Sequence, residues 1–255
     1  MAGSAMSVEV PGARLRLRRL GDPRGRPLLF LHGGLASGED FAPLLAHFAD
    51  CDCWLPDTRG HGGSTMDDRP LRYPLLAADA EAVLAASGLT DPVVVGHSDG
   101  GITALHLAAR RRRRIGGLIA LAAQARPSSP EIVARSYAPL TPAGWRKRFP
   151  EYAARYEREN PAPDLDRLLH AVREMWMSEE PENYPGARIS GISRPTLILG
   201  GDADRLAPRR ETVELAEAIP GAALGIVPFG GHGFHVDDPA GTAALMRRFL
   251  EKIPG

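Results

Sequence analysis

Cysteine is nearly absent from this chain: there are two in 255 residues, Cys51 and Cys53, separated by one residue in CDCW. They offer no disulfide framework, and no further Cys or His clusters beside them to hold a metal. The expectation is therefore two reduced structural thiols, a cytoplasmic setting and no metal. Net charge is absent too. Lys and Arg number 31 and Asp and Glu number 31, which argues against a nucleic-acid partner and against docking of the domain on a membrane surface. No apolar run is long enough to cross a bilayer. The opening MAGSAMSVEVPGARLRLRRLG has no basic segment followed by an apolar one, so no signal peptide is expected. What remains is ordinary globular composition, 44% hydrophobic and 24% charged, at a length that suits one large α/β domain.

Strand and helix patterns alternate along the chain. ARLRLRRLG alternates apolar and basic residues, as an edge strand does. RPLLFLHGG is a continuous apolar run ending in glycines, as a buried strand does. GEDFAPLLAHFAD has helical spacing, and CDCWLPDTRGHGGS is a short strand entering a glycine-rich loop. YPLLAADAEAVLAASG is helical and closes at Gly88. PVVVGHS is a strand, GGITALHLAARRR a helix and IGGLIALAA a strand. Near the end RPTLILGGDAD and ALGIVPFGGHG read as strands, each followed by a helical segment. Alternation of this kind predicts a mostly parallel central sheet covered by helices on both faces.

One stretch breaks the rhythm. Residues 126–188 show no strand pattern, many prolines and short helical pieces such as PDLDRLLHAVREMW. They also gather aromatics, among them Trp145, Tyr152 and Trp176. The stretch reads as a helical cap inserted into a core made of residues 1–125 and 189–255. An insertion there lies over the carboxyl ends of the strands, where open α/β sheets bind ligands. Trp145, Tyr152 and Trp176 are accordingly expected to line a substrate site.

The segment VVVGHSDGGI carries the chemistry. Gly96-His97-Ser98-Asp99-Gly100 fits G-x-S-x-G, with the apolar strand before it and the helix after it that a nucleophile elbow requires. Glycines on either side remove side chains that would collide at so sharp a turn. A serine hydroxyl is a poor nucleophile until a base takes its proton and an acid orients that base. His232, after the last strand and behind Gly230-Gly231, is the expected base, with His235 its rival and expected instead to pack against the insertion. Asp204 in GGDADRLAP is the expected acid, with Asp202 the alternative and otherwise a turn former binding backbone amides. The backbone amides of Gly34, in FLHGGLASGED, and of Asp99 are the expected oxyanion donors. His32 is expected to brace that loop.

Two temptations are set aside. Arg110 to Arg114 end a helix, where basic residues complement the dipole and stay solvated, so no polyanion site is expected. DTRGHGGS lacks the Lys-Ser/Thr of a phosphate-binding loop and reads as a structural loop behind the elbow.

LHGG, PDTRGHGGS, VGHSDGG, GGDADRLAP and GGHGFHVDDP together resemble the α/β-hydrolase superfamily in order and spacing across nearly the whole chain. The SDGG elbow and the insertion look most like the valacyclovir hydrolase (biphenyl hydrolase-like) group. The resemblance implies an α/β-hydrolase fold, a Ser98–His232–Asp204 triad and hydrolysis of small carboxylic esters, α-amino-acid esters among them, without a cofactor. It leaves carbon–carbon hydrolysis, lactone opening, aminopeptidase activity or ligand reception on the same fold as alternatives. The Asp99 carboxylate then has two readings, a seat for a substrate ammonium or an acid favoured at a helix N-terminus. The partner is a small-molecule substrate, and the chain is expected to be a monomer or small homo-oligomer.

Overall fold

The computed structural model describes residues 4–112 and 114–254. Eight strands form one sheet in the order β1-β2-β4-β3-β5-β6-β7-β8. They are β1 (Ser4–Val10), β2 (Ala13–Gly21), β3 (Pro27–Leu31), β4 (Asp52–Pro56), β5 (Val93–His97), β6 (Gly117–Leu121), β7 (Thr196–Gly201) and β8 (Ala223–Val227). The β1–β2 and β2–β4 pairs are antiparallel. Every other pair is parallel. The mostly parallel sheet is thus borne out.

The edge assignment is corrected. ARLRLRRLG forms β2, but β1 pairs along its outer side over Ala13–Arg19, from Ser4 opposite Arg19 to Val10 opposite Ala13. Its alternation has a different cause: Leu15 and Leu17 are buried while arginines stand between them.

Period-two alternation sorts the inner strands between two cores. Leu29, Leu31, Val94, Leu118, Ala120 and Ile198 face one side, where they meet Val83, Leu84, Ala104, Leu105 and Leu215. Leu28, Phe30, Val93, Val95, Ile119, Leu121 and Leu199 face the other, against Phe41, Phe48, Met246 and Leu250. Both faces are buried, which is why these strands read as continuous apolar runs rather than as alternation. Cys51 and Cys53 are free and buried in the second core.

The helix Tyr73–Ser87 starts with Pro74 in its first turn and ends at Gly88 in the left-handed conformation, φ 68°. GEDFAPLLAHFAD does not make one helix. It breaks into single turns, Gly38–Phe41, Ala42–Leu45 and Ala46–Phe48. Ser37 caps the first turn and Pro43 opens the second, and these local signals outweigh a short apolar period.

Between β6 and β7 the described residues hold only helical segments, the longest being Pro150–Glu159 and Leu165–Trp176. Leu165, Leu168, Leu169, Val172 and Met175 form a third apolar cluster with Leu35, Tyr73, Leu76 and Ile102 of the core. Polar ties fix this layer. Arg16 reaches Glu159 at 2.7 Å, Arg167 reaches Asp68 at 2.7 Å, and Arg155 pairs with Asp40. The Asn160 amide donates to the carbonyls of Gly62 and Ser64 at 2.9 and 3.0 Å, inside the loop DTRGHGGS. That loop is built around buried Arg59, whose guanidinium meets the Asp79 carboxylate through two bonds of 2.7 Å. At the end of the elbow helix, Arg111 bonds Ser193, and Arg114 pairs with Asp91 at 2.6 Å. Arg113 lies outside the described residues.

Candidate active site

The elbow follows from the end of β5. Ser98 has φ 52° and ψ −117°, and the helix Asp99–Arg110 begins at the next residue. A positive φ on a residue with a side chain is strained, at a cost of about 1–3 kcal/mol. The flanking glycines show what holds the turn. A Cβ at Gly96 would stand 2.2 Å from the Gly100 carbonyl oxygen, and a Cβ at Gly100 would stand 1.9 Å from the carbonyl oxygen of Leu31. The turn is therefore pressed against the neighbouring strand, and the Ser98 side chain is lifted above the carboxyl ends.

His232 lies between β8 and the short helix Phe234–Asp237. Its Nε2 is 2.9 Å from Ser98 Oγ, and its Nδ1 is 2.8 Å from Asp204 Oδ2. A carboxylate only accepts, so Nδ1 carries the proton and Nε2 presents a lone pair to the serine hydroxyl. Asp204 is buried, and its other oxygen accepts from the amides of Leu206 and Ala207 at 2.8 and 3.1 Å. The structure thus brings Ser98, His232 and Asp204 into one hydrogen-bonded line.

Two side assignments change. Binding of backbone amides belongs to Asp204 itself, while exposed Asp202 makes no side-chain hydrogen bond of that kind among the described residues. The ring neighbours of His235 lie in the core rather than in the insertion. Its ring lies 4.0 Å from His97 and 5.4 Å from Phe41, on the core side, and burial pushes its pKa down to about 3.

The two residues expected to supply the oxyanion donors lie side by side through the Asp99 side chain. Asp99 is the first residue of its helix, so its amide is one of those without an intrahelical carbonyl. Gly34 is pressed against the Asp99 carboxylate and Trp176: a Cβ on Gly34 would fall 2.4 Å from Asp99 Oδ2 and 2.6 Å from the Trp176 ring. Beside them, His32 Nε2 accepts from the Thr58 amide at 2.9 Å, and Nδ1 donates to the Gly33 carbonyl at 2.7 Å. His32 therefore ties the HGG turn to the DTRGHGGS loop. A cavity of about 10 Å³ lies between His32, His61, Gly34 and Asp99, room for at most a single water.

The Asp99 carboxylate has partners that sequence reasoning missed. It is 5% exposed and accepts from the Tyr73 hydroxyl at 2.8 Å and from the Trp176 indole N–H at 2.9 Å. Burial raises its pKa, and these two donors only partly offset the effect. Asn183 orients both donors. Its side chain accepts from the Tyr73 amide at 3.2 Å and donates to the Met175 carbonyl at 2.8 Å. Of the three aromatics expected at a substrate site, Trp176 therefore reaches the elbow. Trp145 stacks on Phe149 at 4.4 Å, and Tyr152 lies under the Arg155 guanidinium at 4.8 Å. Neither shares a hydrogen bond with Ser98, His232 or Asp99 among the described residues.

Among the described residues no three of His, Cys, Asp and Glu gather as metal ligands do, and no helix is long and apolar enough to cross a membrane.

Comparison with known proteins agrees with the fold. The model of the alpha/beta hydrolase family matches residues 28–245. The chain belongs to the alpha/beta hydrolase family. This hydrolase is 30% identical to a Caulobacter protein named as a carbamate hydrolase, RutD, over 90% of this chain and 92% of the relative. It is 29% identical to the pimeloyl-[acyl-carrier protein] methyl ester esterase of Xanthomonas oryzae, over 90% of this chain and 97% of that one. A thermophilic esterase from Thermogutta terrifontis shares the fold, with a TM-score of 0.76, 24% identity and 98% of both chains covered.

Proposed function

We propose that this alpha/beta hydrolase cleaves small carboxylic esters through an acyl-enzyme on Ser98. The observation that carries the reading is the continuous hydrogen-bonded line from Ser98 Oγ through His232 to Asp204, at 2.9 and 2.8 Å, on a strained elbow. His232 Nε2 takes the hydroxyl proton as Oγ attacks the ester carbonyl. Asp204 keeps Nδ1 protonated and stabilises the imidazolium. The amides of Gly34 and Asp99 receive the oxyanion. The imidazolium then returns its proton to the departing alcohol, and a water activated by the same imidazole frees the acid. No cofactor enters these steps.

Residues 126–188 act as the cap, and Trp176 supports this role because it reaches from the insertion to the residue beside the nucleophile. The esterase relative at 29% identity supports the choice of ester. The relative at 30% identity is named for carbamates, which like esters present a carbonyl to a nucleophile. The Asp99 carboxylate, already bonded to Tyr73 and Trp176, is better placed as an internal acceptor than as the main seat for a substrate ammonium. Two free, buried cysteines suit a reducing, cytoplasmic setting.

The test is turnover of p-nitrophenyl acetate and butyrate beside p-nitrophenyl valinate, for the wild type and Ser98→Ala. Simple esters are expected to be hydrolysed at least as well as the valine ester, and the variant is expected to be inactive on all three. A strong preference for the valine ester, lost in Asp99→Asn, would move the substrate class to amino-acid esters.

A further inference from the structure

His97 occupies the first variable position of the elbow and takes no part in the steps above. It is nevertheless joined to both loops that serve them. Its Nε2 is 2.9 Å from the main-chain carbonyl oxygen of His232. A carbonyl only accepts, so Nε2 carries the proton. The bond runs from the residue before the nucleophile to the backbone of the proposed base. That backbone lies in the segment Gly230-Gly231-His232-Gly233, where glycines on both sides give little stiffness. The opposite ring nitrogen faces the HGG turn: a Cβ at Gly33 would stand 2.9 Å from His97 Nδ1 and 3.3 Å from the Ser98 Cβ. The ring is backed by His235 at 4.0 Å and lies 5.1 Å from the ring of His232. Burial, then the neighbouring His235 and His232, hold it well below the ordinary imidazole range, so it stays a neutral donor.

We propose that His97 is a positioning residue, fixing the backbone of His232 so that Nε2 meets Ser98 Oγ, on the reading that Ser98 and His232 carry the hydrolysis. The side chains of Ser98 and Asp204 aim the imidazole, and His97 anchors the chain from which it hangs. The ring stands close against the Gly33 backbone, between the turn that carries Gly34 and the loop that carries the base.

The experiment compares His97→Phe, which keeps a partly buried ring without the N–H, and His97→Gln, whose amide can donate again. Turnover of p-nitrophenyl butyrate is normalised to folded protein, with the fold checked by circular dichroism. His97→Phe is expected to lower kcat about 10- to 100-fold, the scale of a misplaced catalytic group, with KM changed less than about twofold. His97→Gln is expected to recover most of the loss. An unchanged kcat in His97→Phe beside an inactive Ser98→Ala would overturn the proposal alone, as would kcat and KM moving together without recovery in Gln. Undiminished turnover in Ser98→Ala would overturn the parent reading and this one with it. Nitrogen-15 NMR of the wild-type imidazoles reads the geometry without any variant. A proton on His97 Nε2 is expected, and a proton on Nδ1 instead would refute the bond to the His232 carbonyl.

Discussion

His235 gives the most quantitative prediction, because its environment is unusual for an imidazole. It is 2% exposed, and both ring nitrogens lack a hydrogen-bond partner among the described residues. Burial, with His232 as the second cause, lowers its pKa to about 3, whereas an unfolded chain protonates the ring at about 6.5. A group whose folded pKa is depressed contributes stability that is fully present above the unfolded value. That stability is lost as pH falls toward the folded value, because the unfolded state takes up the proton first. Between pH 7.5 and 4.5 the unfolded chain gains about two pH units of proton binding that the folded one does not, and at about 1.4 kcal/mol per unit this removes roughly 2.7 kcal/mol. In His235→Phe that loss disappears. The larger ring brings its own packing cost, but this does not vary with pH. His61, lowered to about 3 by burial, and His106, lowered to about 4 by burial, lose stability in acid in both proteins, and His97, lowered chiefly by burial and then by His235, loses less in the variant, which adds to the gain read from His235. Urea unfolding followed by tryptophan fluorescence at the two pH values should show the variant gaining about 2–3 kcal/mol relative to wild type on acidification. A difference that stays constant would mean that the ring titrates normally in the folded protein, and the packing described for it would be wrong.

Other perturbations read other parts of the molecule. Asp204→Asn should lower kcat on the order of 10⁴-fold with the fold intact by circular dichroism, because the imidazole loses its orienting acceptor; a loss below tenfold would remove Asp204 from the mechanism. Arg59→Met should cost about 3–5 kcal/mol in urea unfolding, because it strands the buried Asp79 carboxylate, and adding Asp79→Leu should restore much of that. An equal loss in the double variant would place the cost in packing rather than in the stranded charge. Gly34→Ala should abolish ester turnover while leaving most of the stability, since its methyl would enter the space held by Asp99 and Trp176. Unchanged turnover would exclude Gly34 from the oxyanion site.

Much of the fold was legible because burial on both sides of a parallel sheet leaves a plain trace. PLLFL, VVV and GLIAL are apolar throughout since their two faces meet two cores. The elbow was legible for a local reason, since its glycines answer to contacts within the turn and with the adjoining strand. The edge of the sheet was misread because arginines beside Leu15 and Leu17 look alike whether solvent or another strand lies beyond them. The partners of Asp99 were hidden by distance. Tyr73 and Trp176 stand 26 and 77 positions away along the chain, and no spacing rule joins them. The rivalry between His232 and His235 could not be settled from spacing three residues apart, because the helical turn Phe234–Asp237 directs one ring to Ser98 and the other into the core.

The nucleophile itself can be identified by mass. A fluorophosphonate that loses fluoride to an activated serine leaves its phosphonyl group on Oγ, and peptide mapping locates it. One equivalent of adduct on the peptide containing Ser98, formed in step with loss of p-nitrophenyl butyrate hydrolysis and absent in His232→Ala, is the predicted result. Hydrolysis that persists with Ser98 fully modified, or an adduct on another residue that accounts for the inactivation, would contradict it.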